Sequence, residues 1–123
     1  MANMDKLAAL VNSFGSSVMS VGREVGLSVT LNKAQVSQGI KVANICAAAL
    51  IGIVGEDARG TAVIMLDKDG FNSVISAMSG GMITPSLEDP MSMSVVGELS
   101  NMVSGRALIQ ASLAGGDVTP PQL

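Results

Sequence analysis

The sequence predicts an α+β domain in which two long helices pack on an antiparallel or mixed sheet. Apolar residues recur at helical spacing near both ends of the chain, and two nearly continuous apolar runs of strand length lie between them. With 48% apolar and 14% charged residues, the 123 residues can fill one core, so a single domain spanning 1–123 is expected.

The first helix is predicted over residues 4–25. Leu7, Leu10, Val11, Phe14, Val18, Val21 and Val25 recur at helical spacing, with Asn3 as a cap and Gly26 as the stop. Residues 28–31 and 35–42 read as short strands, and 45–54 and 61–66 as stronger ones joined by a hairpin turn over 55–60. Alternation in the strong pair is weak, so both faces are expected to be covered, one by helices and the other by a second subunit. Asp67, Lys68 and Asp69 read as a solvated turn before a short helix over 71–79, which Gly80 and Gly81 terminate. A loop containing Pro85 follows. Asp89 and Pro90 then supply a cap and a first position for a second long helix, expected to reach residue 114 and to end at Gly115 and Gly116.

Composition removes several classes of function. The net charge is -3 and the seven Lys plus Arg are scattered, so no basic stripe is available for nucleic acid. With two Phe and no Trp or Tyr there is no base-stacking platform. The absence of His removes the commonest general base and most transition-metal sites. Cys46 is alone within apolar neighbours and reads as a small buried hydrophobe in a reducing compartment. The longest apolar run, residues 43–55, falls short of the roughly 20 residues of a membrane span. No secretion signal is evident, and a cytoplasmic location is expected.

The second long helix carries the most informative pattern. At about 100° per residue, Ser94, Glu98, Asn101 and Gly105 fall within about 60° of arc, opposite a stripe of Val96, Leu99, Val103 and Ala107. Glu98 and Asn101 are thus expected to face outward, with Met91, Val95 and Met102 widening the apolar side. Arg106 and Leu108 break the pattern. Gly97 and Gly105 each cost up to about 1 kcal/mol inside a helix. Together with Ser94 and Ser104 they are expected to let a partner's backbone approach closely.

The run Gly97-Glu98-Leu99-Ser100-Asn101-Met102, with Gly105 and the segment Val118-Thr119-Pro120-Pro121, resembles the CheC/CheX/FliY family of chemotaxis phosphatases, the CheX branch most closely. In that family an Asp or Ser, a Glu, an Asn three residues later and a distal Pro form a signature. Ser94, Glu98, Asn101 and Pro120 or Pro121 stand at those positions, although a purely structural role for the prolines is preferred. Residues 76–82 are also similar to the end of the family's middle helix. The resemblance implies a CheC-like fold, here lacking the final two strands, since CheX-like chains continue past the paired prolines and this sequence stops at Leu123.

The resemblance further implies an activity: hydrolysis of the aspartyl phosphate of a CheY-type response regulator. Asn101 would position the attacking water and Glu98 would dock a regulator lysine. Ser94, Gly97 and Gly105 would contact the partner. No cofactor or metal is expected on this chain, and Mg²⁺ would belong to the phosphorylated regulator. A homodimer is expected, and neither nucleic acid nor membrane as a partner. A second reading stays open, a non-catalytic dimeric adaptor in a chemotaxis, flagellar or two-component signalling assembly.

Overall fold

The computed structural model describes residues 2–32, 44–54, 59–111, 117–118 and 120–123. The first helix, α1 (Ala2–Glu24), starts before Asn3, which therefore lies inside the helix and does not cap it. Its end is the expected one. Gly26 adopts φ 90°, the Leu27 N–H donates to the Gly22 carbonyl at 2.7 Å, and the Gly26 N–H donates to that of Arg23 at 3.2 Å. This is a left-handed glycine closing the last turn by satisfying its carbonyls.

Residues 28–31 form no strand. Their apolar side chains are used against α1 instead. Leu31 lies over Gly15, and Val29 lies so close to Gly22 that a Cβ there would collide with it. The strand expected at 35–42 lies outside the described residues.

Two strong strands form as predicted. β1 (Ile45–Val54) pairs antiparallel with β2 (Arg59–Asp67), with a register shift between Ile45 and Ala47. Residues 55–58 of the connecting turn lie outside the described residues. β3 (Asp117–Val118) pairs antiparallel with Ile53 and Val54. Further along, Gln122 exchanges both backbone hydrogen bonds with Leu50, at 2.8 and 2.9 Å. The sheet order is β2-β1-β3, and every described pairing is antiparallel.

Alternation along β1 is cleaner than the sequence implied. Ala47, Ala49, Ile51 and Ile53 are buried, while Leu50 and Val54 are exposed on the other face. The buried face receives α2 (Lys68–Ser79) and α3 (Pro90–Ala111), with Phe71, Ile75 and Val96 meeting Ala47 and Ala49. Cys46 is half-buried and packs against this cluster. A second cluster joins Val21 of α1 to Val74, Leu99 and Val103, so α3 is wedged between α1 and the sheet layer.

Helix α2 starts three residues earlier than its apolar pattern. Asp67 is not a solvated turn residue but the N-cap, its Oδ1 accepting the Gly70 N–H at 2.8 Å. Gly80, at φ 64°, ends the helix as expected. Helix α3 is described as far as Ala111, and its expected end at residue 114, with Gly115 and Gly116, lies outside the described residues.

Candidate functional site

The start of α3 is set by Asp89. Its Oδ1 accepts the Met91 N–H at 3.0 Å, its carbonyl accepts the Met93 N–H at 3.2 Å, and Pro90 takes the first helical position. From there Val96, Leu99, Val103 and Ala107 are buried. Withdrawing α3 would cost roughly 1.5–3 kcal/mol for each of the three larger side chains. The helix is therefore a fixed platform, and its rotation is set by which residues lie inside.

That rotation leaves Ser94, Glu98 and Asn101 exposed on one outward ridge, with Gly105 half-buried in line with them. Glu98 and Asn101 are one turn apart, about 4.5 Å along the axis. Neither has a hydrogen-bond or ion-pair partner among the described residues. A Cβ at Gly105 would meet nothing within 4 Å, so that flank is open. An amide that both donates and accepts thus stands beside a carboxylate, both presented to solvent.

The other flank is closed. Gly97 is buried, and a Cβ there would lie 3.7 Å from both Pro121 Cγ and Leu123 Cδ1. The glycine accommodates the chain's own C-terminal segment, held on β1 by Gln122, and is not available to a partner as expected. Ser104 is also misjudged by the pattern. It is fully buried and its hydroxyl donates to the Ser100 carbonyl, as that of Ser100 donates to the Val96 carbonyl at 2.9 Å. A serine that bonds its own helix backbone can enter a tight interface, so polarity alone misplaces it.

Two further residues sit differently from their pattern. Met91 is 62% exposed and shares the Glu98 side of the helix, not the apolar side. Arg106, a misfit in the pattern, reaches Glu24 at the end of α1 at 2.8 Å.

Beside the ridge lies an open groove of about 410 Å³, lined by Met78, Ile83, Met91, Ser94, Val95 and Glu98. A separate apolar cavity of about 510 Å³ between α1, β2 and α2 is lined by neither Glu98 nor Asn101. Among the described residues no three of His, Cys, Asp and Glu come together at metal-binding distance. No helix among them is long and apolar enough to cross a membrane.

Comparison with known proteins bears on the same segment. The family model described as "Chemotaxis phosphatase CheX" matches residues 47–123, which include most of β1 and all of β2, α2 and α3. The CheY-P phosphatase CheX of Thermotoga maritima is 31% identical over 117 residues, covering 93% of this chain and 74% of that protein. A CheC-like superfamily protein from Shewanella sp. PV-4 superposes with a TM-score of 0.69 at 24% identity, covering 93% of this chain and 74% of the other. The chemotaxis protein CheX from Desulfovibrio desulfuricans gives a TM-score of 0.63 at 21% identity over 96% of this chain and 75% of the other. The two structures carry the fold alone. With the matched family model and the Thermotoga relative beside them, they lead to one assignment: this chain belongs to the CheX family of chemotaxis phosphatases.

Proposed function

We propose that this protein accelerates hydrolysis of the aspartyl phosphate of a CheY-type response regulator, with Asn101 as the catalytic residue and Glu98 as the docking one. The observation that carries the reading is the ridge: a neutral amide and a carboxylate, one turn apart, exposed and without partners among the described residues, on a helix whose opposite face is buried. Family membership and the name of the Thermotoga relative supply the class of substrate.

The chemistry asks little covalent help from the protein. A water oxygen forms a bond to phosphorus as the bond to the regulator's aspartyl oxygen breaks, releasing inorganic phosphate and a free carboxylate. Positioning dominates such phosphoryl transfers. The Asn101 carbonyl oxygen accepts a hydrogen bond from that water and holds its lone pair in line with phosphorus, and the amide, being uncharged, enters an anionic pocket without repulsion. Glu98 would be repelled by the phosphoryl oxygens, so its partner is a regulator lysine, and the pair fixes register. Mg²⁺ would belong to the regulator and would supply neutralisation of phosphoryl charge there. Ser94 and Gly105 border the contact, while Gly97 supports it from inside.

The same reading carries a cytoplasmic homodimer. The outward face of β1 and β2 exposes Leu50, Val54 and Val63, an apolar surface suited to a second subunit. Light scattering tests it, with a monomeric mass at micromolar concentration as the contrary result. The activity is tested by following acyl-phosphate decay of a CheY-type regulator with and without the protein. Accelerated decay is expected. Binding that leaves the decay unchanged would instead assign the chain to the adaptor class.

A further inference from the structure

We propose that the groove beside the ridge is a second docking contact for the regulator, taking an apolar side chain from a lysine-bearing face and so selecting among regulators. The inference rests on the function proposed above.

Continuity with the ridge is the first argument. Ser94 and Glu98 line the groove together with Met78, Ile83, Met91 and Val95. Met91 lies two turns before Glu98, and Asn101 one turn beyond it, so the three span about 15 Å at 1.5 Å per residue. A partner that seats its phosphoryl group at Asn101 through an interface of ordinary size, roughly 800 Å² on each side, covers that distance. The groove therefore lies under the same partner.

The chemistry of the lining is the second. Met91 is 62% exposed, and Met78, Ile83 and Val95 are half-buried, leaving a continuous apolar strip next to a carboxylate. Methionine adapts its shape to an incoming side chain at low cost. The strip is also held open. The Ser79 hydroxyl donates to the Ile75 carbonyl at 2.7 Å and accepts the Ile83 N–H at 3.2 Å, while the Ser92 hydroxyl accepts the Ser86 N–H at 3.2 Å. These bonds tie the 80–89 loop to the end of α2 and to the first turn of α3, and fix it as a wall of the groove.

Charge identifies the occupant. Between Lys68 and Arg106 the sequence carries Asp69, Glu88, Asp89 and Glu98 and no basic residue. Glu88 and Asp89 stand at the Met91 end of α3, and Glu98 on the rim of the groove. A surface that is apolar in the middle and acidic at both ends complements a partner patch that is apolar with lysines around it.

The test is a KM against kcat split on the phosphorylated regulator. Met91→Gln, exposed and therefore expected to keep its circular dichroism, should raise KM about tenfold and leave kcat within about twofold. Met91→Leu should retain the wild-type KM. Ile109→Gln, a still more exposed apolar position on α3 that does not line the groove, should change neither constant. An unchanged KM in Met91→Gln, with the wild-type protein active, overturns the groove and leaves the phosphatase reading standing. Wild-type protein without activity overturns both. If Met91→Gln lowers the solution mass by light scattering and leaves KM alone, the occupant is a second copy of this chain and the proposal fails.

Discussion

Arg106 on α3 grips Glu24, the last residue of α1, with Nη1–Oε1 at 2.8 Å and Nη2–Oε2 at 2.9 Å, across 82 residues of sequence. The pair accounts for the one cation that interrupts the α3 pattern, and it ties the two long helices together just beyond Gly105. Both groups are part-exposed, so the contribution is modest and weakened by salt.

Its direction with pH is nonetheless set. The hydrogen bond from Arg106, reinforced by the guanidinium charge, holds the Glu24 carboxyl below its ordinary value. A carboxylate lowered in the folded state stabilises it fully above the ordinary range, near pH 4.3, and the gain is lost as pH falls through the lowered value. Thermal unfolding of wild type and Glu24→Gln should therefore differ more at about pH 6 than at about pH 3. An equal gap at both values would mean that the ion pair is not its source.

Gly97 makes a second prediction, because the C-terminal segment occupies its flank. A Cβ at 3.7 Å from Pro121 and Leu123 is an ordinary contact, so Gly97→Ala should fit and gain up to about 1 kcal/mol of helix propensity. Gly97→Leu must displace both residues and with them the Leu50–Gln122 pairing, costing about 1–3 kcal/mol. Urea unfolding of the two variants reads the difference. A rise in KM for Gly97→Ala would restore Gly97 as a partner contact.

Ser17 is fully buried in α1, and its hydroxyl has no hydrogen-bond partner among the described residues. An unsatisfied buried hydroxyl costs about 1–3 kcal/mol in lost hydration, so Ser17→Ala should be neutral or stabilise by up to about 1 kcal/mol. A loss beyond about 1 kcal/mol in chemical denaturation would reveal a partner for Ser17.

How far these features were legible follows from what each residue answers to. Gly26, Gly80 and the Asp89-Pro90 start were readable because local backbone geometry alone decides them. The buried stripe from Val96 to Ala107, and the outward placement of Glu98 and Asn101, follow from helical period. Ser100, Ser104 and Gly97 were not readable that way. Their burial depends on partners distant in sequence, α1 and the C-terminal segment, and on hydroxyls that satisfy themselves within the helix. Met91 failed for the opposite reason, since an apolar residue is assigned inward by default and here stands exposed on the Glu98 side of the helix. Residues 28–31 carry a strand-like composition yet are consumed by α1, a tertiary choice that no local pattern encodes.

The division of labour on the ridge can be separated by kinetics. If Asn101 orders the water only as the bond to phosphorus forms, its contribution falls in the transition state, and Asn101→Ala should lower kcat by on the order of 100-fold with KM little changed. Asn101→Asp should be at least as damaging, because it sets a negative charge against the phosphoryl oxygens while keeping nearly the same shape. If Glu98 docks a regulator lysine, it acts in the bound complex and earlier, during encounter. Glu98→Gln should therefore raise KM, spare kcat, and flatten the dependence of KM on salt that an opposite-charge contact produces. Steady-state phosphate release at low and high salt measures all three. Both variants lowering kcat alone would place Glu98 in the chemistry with Asn101, and an Asn101→Ala protein with wild-type kcat would remove the amide from it.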